Sequence, residues 1–223
     1  MNVSEAVETR QSIRAFLDKP VDGALIRQLI EKAARAPSGG NLQPWHLHVL
    51  AGQPLEEFKK AVQARLADTE RKEAWAYNVY PPELMEPYTD RRFKVGEDMY
   101  APMNISREDR AARRAWFARN FQFFDAPVGL FCYTDRVMGP PQWSDLGMFL
   151  QTLMLLLREE GLDSCAQECW AIYPETVGAL LNPPSGHILF CGMAIGYRDT
   201  AHPVNNFRSE RAAADEFAQF HGL

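Results

Sequence analysis

The sequence predicts a layered fold of the α+β or α/β class, with strands and long helices sharing one core. Three observations carry this. Residues 187–197, HILFCGMAIGY, are almost continuously apolar, as in a strand buried on both faces. Residues 145–158 form a helix so apolar that it needs partners on most sides. Amphipathic helical periodicity recurs elsewhere and is mixed with two further strand signals.

In chain order, residues 2–10 are predicted helical, with Val3, Ala6 and Val7 at helical spacing. Asp22 caps a second helix whose apolar set is Leu25, Ile26, Leu29, Ile30, Ala33 and Ala34; Pro37 and two glycines end it. Residues 45–51, WHLHVLA, alternate as a strand does, and a third helix runs over 54–67 from Pro54. Residues 68–114 are dense in charge and read as irregular turns and short helices, a surface excursion of the kind that serves as a lid or binding element. Residues 127–134 form a strand. Ser144 and Asp145 open the apolar helix, which runs to about Glu160 with Gly161 as its stop. Residues 164–170, SCAQECW, read as a connector and 174–181 as a short helix beginning at Pro174. The tail from His202 is polar, then weakly helical. Only three strands are clear, so the sheet covers part of the apolar helix and a subunit interface covers the rest.

Composition narrows the function classes. The chain has 223 residues, 46% apolar, enough for one large domain or two small ones. A net charge of −5, from 29 acids and 24 bases, speaks against a nucleic-acid binder. The N-terminus lacks the apolar stretch of a signal peptide, and the longest apolar run, 147–157, is too short for a membrane helix. Cys132, Cys165, Cys169 and Cys191 form no CxxC pair and the histidines no HxxxH or HExxH pattern, so no metal site is expected. Without a secretory signal, the sequons at Asn2 and Asn104 are chance occurrences. The expectation is a soluble, reduced, cytoplasmic protein.

Three short stretches hold side chains suited to ligand chemistry. In TRQSIRAF, residues 9–16, an extended backbone would put Arg10, Ser12 and Arg14 on one side, a cradle for an anion. In APSGGNLQPW, residues 36–45, Gly39 and Gly40 let backbone approach a ligand, while Asn41 and Gln43 each offer a donor and an acceptor to a flat heterocycle. In the tail, Arg208 and Arg211 stand at i and i+3 and can reach one anion. Each has a plain structural reading when taken alone: a solvated basic turn, a helix-to-strand turn with a capping asparagine, a solvated helical face.

Taken together, these stretches resemble the nitroreductase family of flavin enzymes. TRQSIRAFLDKPV, then an amphipathic helix, then APSGGNLQPW is similar to that family's N-terminal signature. APVGLFCYTD, DLGMFLQTLMLLLREEGLDS and CGMAIGY before HPVNNFRSER extend the resemblance over nearly the whole chain, and 68–120 supports it least. The resemblance implies an α+β fold of α/β/α layers around a mixed sheet, in one domain over 1–223. It implies a homodimer with exchanged elements, a lid at about 68–120, and a tail at about 200–223 wrapping the partner.

It also implies bound FMN. Arg10, Gln11, Ser12 and Arg14 would hold it, with Arg10 and Ser12 on the phosphate side and Arg14 near the N1–C2 edge of the ring. Arg211 and Arg208 would complete the phosphate site; residues 211–214 read RAAA where the family often has Arg-x-Pro-Leu, so which arginine acts stays open. Pro37, Ser38, Gly39, Asn41 and Gln43 would reach the ring from the other subunit. A backbone N–H of Glu168 or Cys169, beside Gln167, would face flavin N5. Cys165 and Cys169 read as small packed cysteines rather than a redox pair. Trp75, Tyr77, Tyr80, Tyr88, Phe123 and Phe124 are the candidate walls of an aromatic acceptor pocket. The implied reaction is hydride transfer from NADH or NADPH through flavin N5 to a nitroaromatic, quinone or similar acceptor, in ping-pong fashion, with no side chain as catalytic acid or base. Alternatives are a flavin enzyme of the same fold that dehalogenates, reduces alkenes or breaks down flavin; a non-catalytic FMN-binding protein; and an interaction protein whose basic stretch binds another anion.

Overall fold

In the computed structural model, which describes residues 1–222, a four-stranded sheet carries helices on both faces. The strands are β1 (His46–Ala51), β2 (Val128–Asp135), β3 (Asp163–Gln167) and β4 (His187–Gly196), in the order β1-β2-β4-β3. Every neighbouring pair is antiparallel; the parallel element of the expected mixed sheet is a single bridge between Ser12 and Ser164. The helices are α1 (Val3–Thr9), α2 (Gly23–Ala33), α3 (Gly52–Ala67), α4 (Tyr88–Tyr100), α5 (Arg110–Ala118), α6 (Pro140–Glu159) and α7 (Pro174–Leu181).

The continuous apolarity of β2 and β4 follows from their central place. Leu130, Cys132, Cys191, Met193 and Ile195 face one core, with Ile26, Leu29 and Ala33 of α2 and Leu146, Phe149, Leu153 and Leu157 of α6. Phe131, Tyr133, Leu189 and Ala194 face the other, with Leu55, Phe58 and Val62 of α3 and Val177 of α7. In that second core Trp170 is ringed by Phe58, Phe121, Phe123 and Phe131, with centroids 5.0–5.7 Å away. The indole lies so close to Gly192 that a Cβ there would strike it. Among the described residues no helix is long and apolar enough to cross a membrane.

Local signals hold at several ends. Asp22 caps α2 by accepting from Ala24 N at 2.9 Å, α7 begins at Pro174, and Gly161 follows α6 with φ 73°. Three expectations need correction. The apolar helix α6 starts at Pro140, ahead of Ser144, because two prolines suit a first turn whose N–H groups lack helical partners. The supposed connector 164–170 is strand β3 followed by a 3₁₀ turn, Glu168–Ile172; its buried polar residues Ser164 and Gln167 masked the strand. The excursion contains two full helices, α4 and α5, whereas the tail, among the described residues, has only short 3₁₀ turns.

Two polar clamps join distant segments. Glu73, in the excursion, pairs with Arg65 at 3.2 Å and caps α7 by accepting from Glu175 N at 2.8 Å and Thr176 N at 3.0 Å. Asp163 opens β3 almost fully buried and accepts from Arg198 at 2.6 and 2.7 Å and from Arg158 at 3.1 Å. It thereby ties the end of α6 to β3 and β4.

Candidate functional site

Beyond α1 the chain is extended, with Arg10 at φ −64° and ψ 128°. Ile13 N donates to Ser164 O at 3.0 Å, so the segment lies beside β3. Ile13 and Ala15 are buried, whereas Ser12 is exposed and Arg14 half-buried. Alternation therefore sends Arg10, Ser12 and Arg14 to one side, as the sequence predicted. The side chain of Asn205 fixes this course: it accepts from Arg14 N at 2.9 Å and donates to Ala15 O at 2.8 Å. Asn205 lies in the stretch HPVNNFRSER, but nothing in that stretch assigned it this role, 191 residues from Arg14 in the chain.

The cluster is strongly cationic. Burial, and then the neighbouring Arg211, lower the pKa of Arg10. Arg10 and Arg14 both act on the thiol of Cys165, whose pKa burial raises. Arg211 is held by Ser209 Oγ at 2.7 Å and Glu210 O at 2.8 Å. Arg208 instead donates to Glu8 O at 2.6 Å, on α1. Of the two tail arginines, Arg211 is therefore the one that shares the electrostatic environment of Arg10. Gln11 Oε1, on the segment between Arg10 and Ser12, is buried with no hydrogen-bond partner among the described residues. A cavity of about 760 Å³ opens beside Arg211 between α4 and the tail, lined by Arg91, Lys94, Asp98, Ser209 and Phe217. Ion pairs of Arg91 with Glu216 and Lys94 with Glu210 lay the tail along α4 of its own chain.

The second stretch is a pinned loop. Gly40, Asn41 and Gln43 have φ of 57°, 56° and 50°, the left-handed region that glycine and asparagine tolerate best. Gly39 N donates to Asp145 Oδ2 at 3.2 Å and Gln43 N to Ser38 Oγ at 3.0 Å. Trp45 stacks on Phe149 at 4.8 Å. Both anchors belong to α6, so the loop is fixed at each end. Pro37, Gly39, Asn41 and Gln43 stay exposed and Ser38 partly so. Asp145, read as a helix cap, is a buried acceptor for this loop; an acid within so apolar a helix was the available signal. Among the described residues no hydrogen bond joins this loop to Arg10, Ser12 or Arg14.

The end of β3 differs from expectation in one residue. The Gln167 side chain points into the core, donating to Asn120 O at 2.7 Å and accepting from Trp170 Nε1 at 3.4 Å. Its side-chain amide is engaged within the fold. Glu168 is accessible, yet the protein around its carboxyl raises its pKa. Cys169 is half-buried and burial holds its thiol high; Cys132 is pushed up to about 12. All four cysteines are free.

The aromatic candidates divide. Phe123 and Phe124 have no exposed surface and pack the core, because their turn folds inward with φ of 51° and 54°. They wall no pocket. Such φ values cost roughly 1–2 kcal/mol per residue, which burial of each ring offsets. Tyr77 anchors the excursion: its hydroxyl donates to Phe190 O and its ring packs on Trp143 at 5.1 Å. Trp75, Tyr80 and Tyr88 remain on the surface, Tyr80 beneath Arg92 at 3.9 Å.

Known proteins share both sequence and architecture. The chain is 37% identical over 218 residues to a 4-nitrobenzoate reductase of Pseudomonas putida, covering 97% of this chain and 94% of that one. It is 32% identical to a nitrobenzene nitroreductase of Ectopseudomonas oleovorans, covering 98% and 96%. The crystal structure of the FMN and NADPH-dependent nitroreductase NfnB from Sphigopyxis sp. strain HMH superposes with a TM-score of 0.96 at 48% identity, over 100% of both chains. That of the FMN-dependent NfnB from Mycobacterium smegmatis in complex with NADPH gives 0.91 at 28%, over 99% of this chain and 100% of that one. The profile of the Nitroreductase family matches residues 7–197, and with these relatives it shows that the chain belongs to the nitroreductase family.

Proposed function

We propose that the protein is an FMN- and NAD(P)H-dependent reductase of nitroaromatic compounds, working as a homodimer with the flavin between subunits. The observation that carries this reading is the closeness of Arg10 to Arg211, whose charge lowers the Arg10 pKa, with Arg14 acting beside Arg10 on Cys165; among the described residues none of the three guanidinium groups has an ion pair. Such a pair of cations is stabilised by an anion, and a flavin phosphate is one the NfnB relatives hold as FMN.

Bound FMN would supply the chemistry, accepting hydride at N5 from NADH or NADPH and returning two electrons to the acceptor at one shared site. Arg10, Ser12 and Arg211 would hold its phosphate. Arg14 would face the polar edge of the ring, where a cation favours negative charge. A backbone N–H of Glu168 or Cys169 would donate at the reacting end. The pinned 37–43 loop, which among the described residues makes no hydrogen bond to Arg10, Ser12 or Arg14 of its own chain, would serve the partner's flavin; its glycine backbone would approach the ring and its amides would pair with the ring's edge. No acid or base from this chain is required. Trp75, Tyr80 and Tyr88 would wall the acceptor side, with the excursion as a lid. Nitroarenes are the substrates named for the Pseudomonas and Ectopseudomonas relatives, and a flat electron-poor ring suits an aromatic wall.

The test is an anaerobic absorbance spectrum of the purified protein, before and after NADPH or NADH and then 4-nitrobenzoate. A flavin spectrum that bleaches with the nicotinamide and recovers with the nitroarene supports the proposal. Absence of flavin after reconstitution, or flavin that stays oxidised, overturns it.

A further inference from the structure

The sheet register brings together three residues that lie far apart in the chain. Asp135, at the end of β2, pairs directly with His187, at the start of β4. His46, at the start of β1, pairs with Tyr133, two residues before Asp135. Because side chains alternate, all three project from the same face at one end of the sheet. The imidazoles of His46 and His187 lie with centroids 4.2 Å apart and planes at 33°. Both Nε2 atoms approach the one carboxylate, His46 at 3.8 Å from Oδ2 and His187 at 3.9 Å from Oδ1.

These separations are too long for hydrogen bonds. Among the described residues the Asp135 carboxylate accepts no hydrogen bond. Three good ligand atoms thus lie within 4.8 Å of one another and are not joined. Around a tetrahedral ion, bonds of about 2.0–2.2 Å set ligand atoms about 3.4 Å apart. Closing the two carboxylate–imidazole gaps takes about half an ångström each, and the imidazole–imidazole pair, within 4.8 Å, closes by at most about 1.4 Å, through rotation of the partly exposed His46 and Asp135 side chains.

We propose that His46, Asp135 and His187 form a binding site for a divalent transition ion of the zinc class. Two imidazoles and one carboxylate suit zinc and its neighbours better than magnesium or calcium, which prefer oxygen. His187 is held by its packing, while His46 and Asp135 are partly exposed, so an ion has an entry route and a coordination position open to solvent. Tyr133 pairs with His46 in the sheet, and its ring meets that of His48 at 5.4 Å. One cost is visible: His187 Nδ1 is buried without a partner and must carry the ring proton when Nε2 binds. The site should therefore be weaker than a four-ligand structural centre.

The experiment is calorimetric titration of Zn²⁺ into the whole purified protein after chelator treatment and buffer exchange, with Co²⁺ absorbance in parallel. The expected result is one ion per chain and a Co²⁺ spectrum without a thiolate charge-transfer band. His46→Gln and Asp135→Asn, both at partly exposed positions and with circular dichroism as the fold check, should each weaken Zn²⁺ binding at least about tenfold. The proposal is overturned by no binding, by unchanged affinity in either variant, or by a thiolate band that moves the ion to a cysteine.

Discussion

Replacing Arg10 by Met separates the flavin-binding role of this residue from any structural one, because the two predict opposite signs. In the flavin-free protein, Arg10 is half-buried, and both burial and Arg211 disfavour its charge. Methionine keeps most of the apolar stem and removes the repulsion. Stability of the flavin-free protein should therefore stay level or rise slightly, read as the urea midpoint. In the flavin complex the same change deletes a hydrogen bond between opposite charges, worth about 1.5–3 kcal/mol. The FMN dissociation constant should rise about ten- to 150-fold, measured by quenching of flavin fluorescence. Its salt dependence should also weaken, since one fewer cation screens the phosphate. An FMN affinity within about threefold of the parent would refute the assignment. So would a flavin-free variant that loses as much stability as it loses binding energy.

Three further outcomes follow from the packing. Asp163→Asn leaves Arg158 and Arg198 without their shared carboxylate and should cost about 3–5 kcal/mol in urea unfolding; a loss under about 1 kcal/mol would mean the clamp is solvated. Gly192→Ala drives a methyl into the Trp170 indole and should destabilise by about 1–3 kcal/mol, seen also as altered near-ultraviolet dichroism; an unperturbed Trp signal would contradict the contact. Burial holds all four thiols in the protonated state, so a disulfide reagent at pH 8 should label the native protein slowly and the unfolded protein at once. Rapid native labelling of Cys165 or Cys169 would revive a redox role for them.

What the sequence determined by itself was local. The Asp22 cap and the apolar period of α2, the Pro174 start of α7, the Gly161 stop and the unbroken apolarity of β4 were legible because each depends on neighbours within a few residues. The alternation of Arg10, Ser12 and Arg14 was legible for the same reason, and so was the kinship carried by residues 9–16 and 36–45. Tertiary structure decided the fate of buried polar groups, whose partners lie far along the chain. β3 reads as a loop until β4 pairs with Ser164 and Gln167, and Gln167 reads as a ligand group until Asn120 and Trp170 claim it. Phe123 and Phe124 look like pocket walls until their turn folds inward. Asp145 looks like a cap until the loop at Gly39 reaches it, and Arg211 stands out from Arg208 only once α1 takes Arg208. His46, Asp135 and His187 meet solely through strand register, which periodicity does not encode. A hydrophobic pattern states that a position is buried; which distant group satisfies it depends on how strands and helices are brought together.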